Sequence, residues 1–132
     1  MKKWMLSLLV LVLLLAGCSS GNSLPHFEDG DVVGSGSAAF TLEITGRSGE
    51  TAVLTVHTDE ESVGAALQAE HIIFGEQGDY GLYILTVNGE TLSYEEDGSY
   101  WAFYVNDVYA EKSVDLTPVE PGAVYALRAE TI

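Results

Sequence analysis

Cysteine occurs once in these 132 residues, as Cys18, and that scarcity excludes most of what thiols do. A lone cysteine has no partner for an internal disulfide, and once its sulfur is modified no thiolate remains as metal ligand or nucleophile. Basic residues are nearly as scarce, five Lys and Arg against 20 Asp and Glu, giving a net charge of −15. Such a chain repels nucleic acid, whose binding demands a basic surface, and it repels anionic lipid headgroups. His26, His57 and His71 are far apart and show no metal-ligand spacing. No serine lies in G-x-S-x-G and no Ser-His-Asp order suggests a triad. Gly34-x-Gly36 lacks the flanking strand and helix of a phosphate loop, and Glu95-Glu96-Asp97-Gly98 does not match a calcium loop and reads as a turn. Paired carboxylates are common only because acids are. The expectation is a protein that is not an enzyme and holds no metal or cofactor.

Long apolar runs are also missing, with one exception at the start. Lys2 and Lys3 precede an apolar run from Trp4 to Leu15, followed by Leu15-Ala16-Gly17-Cys18. A positive start, a short apolar segment and small residues before a cut are the parts of an export signal. As a helix the run would span roughly 20 Å at 1.5 Å per residue, against a bilayer core of about 30 Å. The run is similar to bacterial lipoprotein signals, which implies cleavage before Cys18 and a diacylglycerol on its sulfur. Residues 1–17 are therefore expected to be a lipoprotein signal peptide, with the chain anchored by lipid outside the cytoplasm. Loss of the signal would leave 20 acids against Arg47, Lys112 and Arg128, a net charge of −17.

Residues 18–37, the lipidated cysteine and a Ser-, Gly- and Asp-rich stretch, are poor in apolar side chains and read as a flexible tether. Its mean reach would be roughly 25 Å. Residues 38–132 form one small domain. Phe40, Leu42 and Ile44 alternate with polar residues as a half-buried strand does. Gly46-Arg47-Ser48-Gly49 is a turn, and Thr51 to Thr58 its partner strand. The period then changes: Val63, Ala66 and Leu67 fall at helical spacing behind the N-cap candidate Ser62, so a helix is expected from Val63 to about His71. Leu82 to Val87 and Glu90 to Tyr94 flank Asn88-Gly89, the strongest short hairpin signal. That pairing puts Leu85 opposite Leu92 and Tyr83 opposite Tyr94. A strand carrying Trp101, Phe103 and Val105 on one face, a turn at Asn106-Asp107, a turn at Pro121-Gly122 and a closing strand from Val124 to Ala129 complete the chain. Hairpins around a single helix make an α+β domain.

Aromatic residues crowd positions 80 to 109. A core needs only one face of each strand. If Trp101 and Phe103 point inward, Tyr100 and Tyr104 point outward, and the reverse. Exposed aromatic patches mark binding surfaces, and the competing reading is cross-strand packing. Trp101 reads as core. Tyr83 and Tyr104 read equally as ligand contacts or as packing. The candidate ligand-binding residues are Tyr83, Tyr104, Trp101 and Tyr100.

Four segments in order, Ser62-Val63-Gly64-Ala65-Ala66-Leu67, Tyr80-Gly81-Leu82-Tyr83-Ile84 with Val87-Asn88-Gly89, Trp101-Ala102-Phe103-Tyr104-Val105-Asn106, and Pro121-Gly122, resemble the C-terminal β-domain of transcobalamin and intrinsic factor. The resemblance covers roughly residues 38 to 132. It implies a β-grasp-like mixed sheet packed on one helix, and a domain that covers a corrinoid from one side. Ala65, Asp107 and Ala123 depart from the family's pattern, at an acid after the cap, an Asn-Gly turn and a Gly-Asp turn. The expected function is non-catalytic binding of a small molecule, a corrinoid or a glycan by a lipid-anchored protein, with delivery to a transporter. The alternative is a protein-interaction or adhesion module working through a sheet edge or an acidic face.

Overall fold

The computed structural model describes residues 24–132, so the expected signal peptide, Cys18 and the start of the expected tether lie outside the described residues. The alternating pattern of β2 (Ala38–Thr45) buries Phe40, Leu42 and Ile44 on one side. Its partner β3 (Thr51–Thr58) runs antiparallel in unbroken register from Thr45–Thr51 to Ala38–Thr58. Leu54 and Val56 take the inner face, leaving Val53 exposed. Beside β2 lies β9 (Val124–Thr131), parallel to it, and then β7 (Ser99–Val105), antiparallel to β9. Two short edge strands, β1 (Val32–Gly34) and β8 (Val108–Tyr109), complete a six-stranded mixed sheet of order β1-β3-β2-β9-β7-β8.

The helix α1 (Val63–Ala69) is capped as its sequence predicts: the Ser62 hydroxyl accepts from the Ala65 amide at 3.0 Å. Val63, Ala66 and Leu67 are buried against the large sheet. The helix ends two residues before His71, which adopts a φ of 59° and turns the chain. Gly64 faces a 3-10 turn at Val114–Leu116; a Cβ there would fall 2.7 Å from Asp115 Cα, so only glycine admits this approach.

Four expectations need correction. The domain has two sheets rather than one: β4 (Ile73–Gly78), β5 (Gly81–Val87) and β6 (Glu90–Thr91) form a separate three-stranded sheet. β4 escapes the period-2 test because Ile72-Ile73-Phe74 is an unbroken apolar run and the register then shifts between Phe74 and Gly75, where β5 carries the extra residue Leu85 and the absent Cβ of Gly75 makes room for the Tyr83 carbonyl. The second strand of the Asn88-Gly89 hairpin stops at Thr91. Leu92 still donates to the Leu85 carbonyl at 3.0 Å, but Ser93 caps the one-turn helix α2 (Tyr94–Asp97) by accepting from Glu96 N. Tyr83 therefore pairs with Glu76 of β4, not with Tyr94. Glu95, Glu96 and Asp97 thus belong to a helical turn, closed by left-handed Gly98. Finally, residues 24–37 are not a free tether. β1 is a parallel strand on β3, Val33 is buried, and Asn88 grips the Phe27 backbone through both ends of its amide, at 2.7 and 2.9 Å. Few apolar side chains are needed to hold this segment, because backbone hydrogen bonds to β3 and the Asn88 amide do the work.

No helix among the described residues is long and apolar enough to cross a membrane.

Candidate functional site

No ladder joins the two sheets, which meet where β5 approaches β7. Trp101 of β7 closes the inner end of the join: its indole N–H donates to the Leu85 carbonyl of β5 at 3.2 Å. The indole is buried, as expected of a core residue. Outside this join, alternation along β5 turns Leu82 and Ile84 inward and leaves Tyr83 45% exposed. Alternation along β7 likewise leaves Tyr100 and Tyr104 half-buried on the outer side.

An open groove of about 670 Å³ lies there, lined by Tyr83, Leu85, Leu92, Tyr94, Tyr100 and Tyr109 together with Glu76, Ser93, Glu95 and Ile132. Four tyrosines and two leucines make its walls; its charged side chains are both carboxylates. A second cavity, of about 450 Å³, adjoins it, with Tyr80, Trp101, Phe103 and Lys112 among its lining residues. Tyr83 and Tyr109 line both, so they form the partition. Tyr80, at the tip of the β4–β5 hairpin, is 91% exposed.

The structure brings Tyr83 and Tyr100 together in one groove and sets Trp101 behind it. It places Tyr104 elsewhere. The Tyr104 ring meets Tyr109 edge-on at 5.5 Å, the Arg128 guanidinium lies 4.2 Å above its centroid, and its hydroxyl donates to Glu130. That hydrogen bond, with partial burial and the Glu130 charge, pushes the Tyr104 phenol above its ordinary value against the pull of Arg128. Desolvation and the same carboxylate raise Tyr100. Both are neutral phenols across the physiological range. Tyr94, Tyr109, Leu85 and Leu92 are groove residues that the sequence reading did not single out. Tyr94 and Tyr109 stood in the aromatic cluster, and only their presence there could have suggested them. Leu85 and Leu92 were legible as hairpin partners.

A third cavity, of about 470 Å³, opens where the N-terminal segment crosses the Asn88-Gly89 turn, with Glu28, Asp29, Glu50 and Glu90 on its rim. Among the described residues, no group of three or more His, Cys, Asp or Glu side chains is close enough to hold a metal ion.

A family described as a domain of unknown function (DUF4430) matches residues 60–124. Among solved structures, a candidate metal-binding protein from Ruminococcus gnavus ATCC 29149 is similar to this chain at 27% identity and a TM-score of 0.69, over 73% of this chain and 99% of its own. Haptocorrin crystallised with Cbi (cobinamide) is similar at 18% identity and a TM-score of 0.54, over 71% of this chain and 25% of its own. The chain thus spans a quarter of haptocorrin, and that likeness is one of fold: the domain has a transcobalamin-like α+β fold. No curated protein matches the sequence.

Proposed function

We propose that this chain is a non-enzymatic lipoprotein of the extracytoplasmic membrane surface, whose domain binds a small molecule in the tyrosine-walled groove between its two sheets. The observation that carries the reading is the groove itself. Tyr83, Tyr94, Tyr100 and Tyr109 converge from four different elements on one concavity, with Leu85 and Leu92 beside them. Concave, mostly apolar clefts with a few polar groups are where small ligands bind. The solved structures with this fold support binding rather than chemistry, one being a candidate metal-binding protein and the other a complex with a corrinoid. The parallel contact of β2 with β9, with α1 packed on the sheet, supports the β-grasp reading of the large sheet.

Equilibrium dialysis of the purified protein against cobinamide and cobalamin tests the corrinoid form of the proposal. Retention that is lost in Tyr83→Ala/Tyr100→Ala supports it; no retention at high-micromolar ligand removes corrinoids from it. Mass spectrometry of the native product tests the anchor. The expected N-terminus is a diacylglyceryl Cys18, and an intact Met1 or an unmodified sulfur on a secreted chain overturns it.

A second reading rests on β4, which among the described residues pairs with β5 alone and so offers one edge of six residues. Such an edge can accept an added strand from a partner protein. Capture of one envelope protein by the wild type, lost on a Gln77→Pro substitution, would favour it over the groove.

A further inference from the structure

The groove's electrostatics narrow its ligand further, on the reading that the groove is the binding site. Among the described residues, its walls hold Glu76 and Glu95 and no Lys, Arg or His. Among the described residues, the two arginines are paired elsewhere and the one lysine lies outside the groove's lining. Arg47 bonds Asp97 at 2.9 Å and Ser99 at 2.9 Å, while Arg128 reaches Asp107 at 3.3 Å and lies over the Tyr104 ring. Lys112 lines the neighbouring cavity. An anionic ligand would therefore enter a site with two like charges and no counter-charge, within a molecule of net charge −15.

The outer face of the same sheet already shows what such walls accept. The Arg128 guanidinium sits above the Tyr104 ring while the hydroxyl of that ring holds Glu130. With Asp107 accepting from the same guanidinium at 3.3 Å, this is a cation held between a π-face and a carboxylate, supplied by the chain itself. The groove repeats those components, tyrosine rings with carboxylates beside them, without a basic side chain. We propose that the groove takes a freely dissolved organic cation, an alkylated ammonium of the quaternary amine class. Tyrosine faces would hold the onium group, Glu76 and Glu95 would neutralise it, and Leu85 and Leu92 would cover its alkyl part. Alkylated ammonium suits such a site better than a metal ion or a primary amine, because it is weakly hydrated and gives up little to enter an apolar cleft.

The test is a titration of the full-length chain, held in an uncharged polyoxyethylene detergent and carrying ring-labelled tyrosine, followed by NMR. Choline is compared with 3,3-dimethylbutan-1-ol, its uncharged isostere. Choline is expected to shift the resonances of Tyr83, Tyr94, Tyr100 and Tyr109 saturably, with the alcohol at least about tenfold weaker. Added salt, and the Glu76→Gln/Glu95→Gln variant, should each weaken choline severalfold and leave the alcohol unchanged. Equal binding of the two probes overturns the cation and leaves the groove standing as an apolar site. Shifts confined to tyrosines outside the groove, or no shift with either probe, overturn the cation and leave the groove to be decided by the corrinoid dialysis.

Discussion

Asn88 shows one residue serving two structural ends. At the first position of the hairpin turn it takes a φ of 48°, which asparagine tolerates better than most side chains. Its amide meanwhile clamps the Phe27 backbone, and its carbonyl meets the His26 ring at 3.2 Å. The two roles separate by substitution. Asn88→Gly preserves the turn and removes the clamp, and is expected to cost about 1–3 kcal/mol in urea unfolding, since the Phe27 groups lose a partnered, largely buried amide. Asp115 is a comparable junction. Burial would raise its pKa, but the Leu82 amide, the Ser113 hydroxyl and the Gln77 amide outweigh burial and hold it below the ordinary carboxylate value. A depressed native pKa stabilises the fold above the unfolded pKa of about 4, and that contribution disappears as pH falls through the native value. Wild type should therefore lose more stability than Asp115→Asn between pH 6 and pH 2, the two thermal midpoints converging at the acid end. A constant gap across that range would mean that the carboxylate charge contributes nothing.

At the scale of elements, α1 is the joint between the large sheet and the 3-10 turn, and Gly64 sets the distance. Gly64→Ala gains helix propensity worth about 1 kcal/mol in an exposed helix, yet here its methyl would meet Asp115 Cα at 2.7 Å. Backbone must move to admit it, so the net effect is expected to be destabilising by roughly 1–3 kcal/mol, read as a lower midpoint in urea. An unchanged or raised midpoint would show that the 3-10 turn yields freely. The same scale separates legible from illegible elements. Strand β2 and the helix core of Val63, Ala66 and Leu67 follow from periodicity, because one face meets the interior and the other meets solvent. β4 does not, since Ile72 and Ile73 are both buried where helix, loop and strand all meet the core, and no alternation survives. The early end of β6 depends on Ser93, whose capping bond to Glu96 N competes with continued pairing to β5.

The whole molecule carries 20 acids against five bases, and so repels itself. Raising sodium chloride from about 10 to 500 mM shortens the screening length from roughly 30 Å to a few Å. The thermal midpoint is expected to rise over that range, and a falling midpoint would mean that Arg47–Asp97 and Arg128–Asp107 outweigh the general repulsion. The groove is a feature of this scale too. Tyr83 and Tyr100 were identifiable as outward-facing aromatics, yet Tyr104, read the same way, is occupied by Arg128 and Glu130 across the strands. Nothing local to Tyr104 distinguishes it from Tyr100, four residues earlier on the same face. The sequence alone determined the α+β class, the capped helix and the positive-φ turns at Asn88-Gly89 and Asn106-Asp107, because each follows from steric or solvation preferences within a few residues. Tertiary structure decided that the strands divide into two sheets, that residues 24–37 dock onto β3 and Asn88, and that tyrosines from β5, α2, β7 and β8 face one groove. Those outcomes depend on contacts between residues tens of positions apart, and such contacts are set by how whole elements pack rather than by the order of neighbours in the chain.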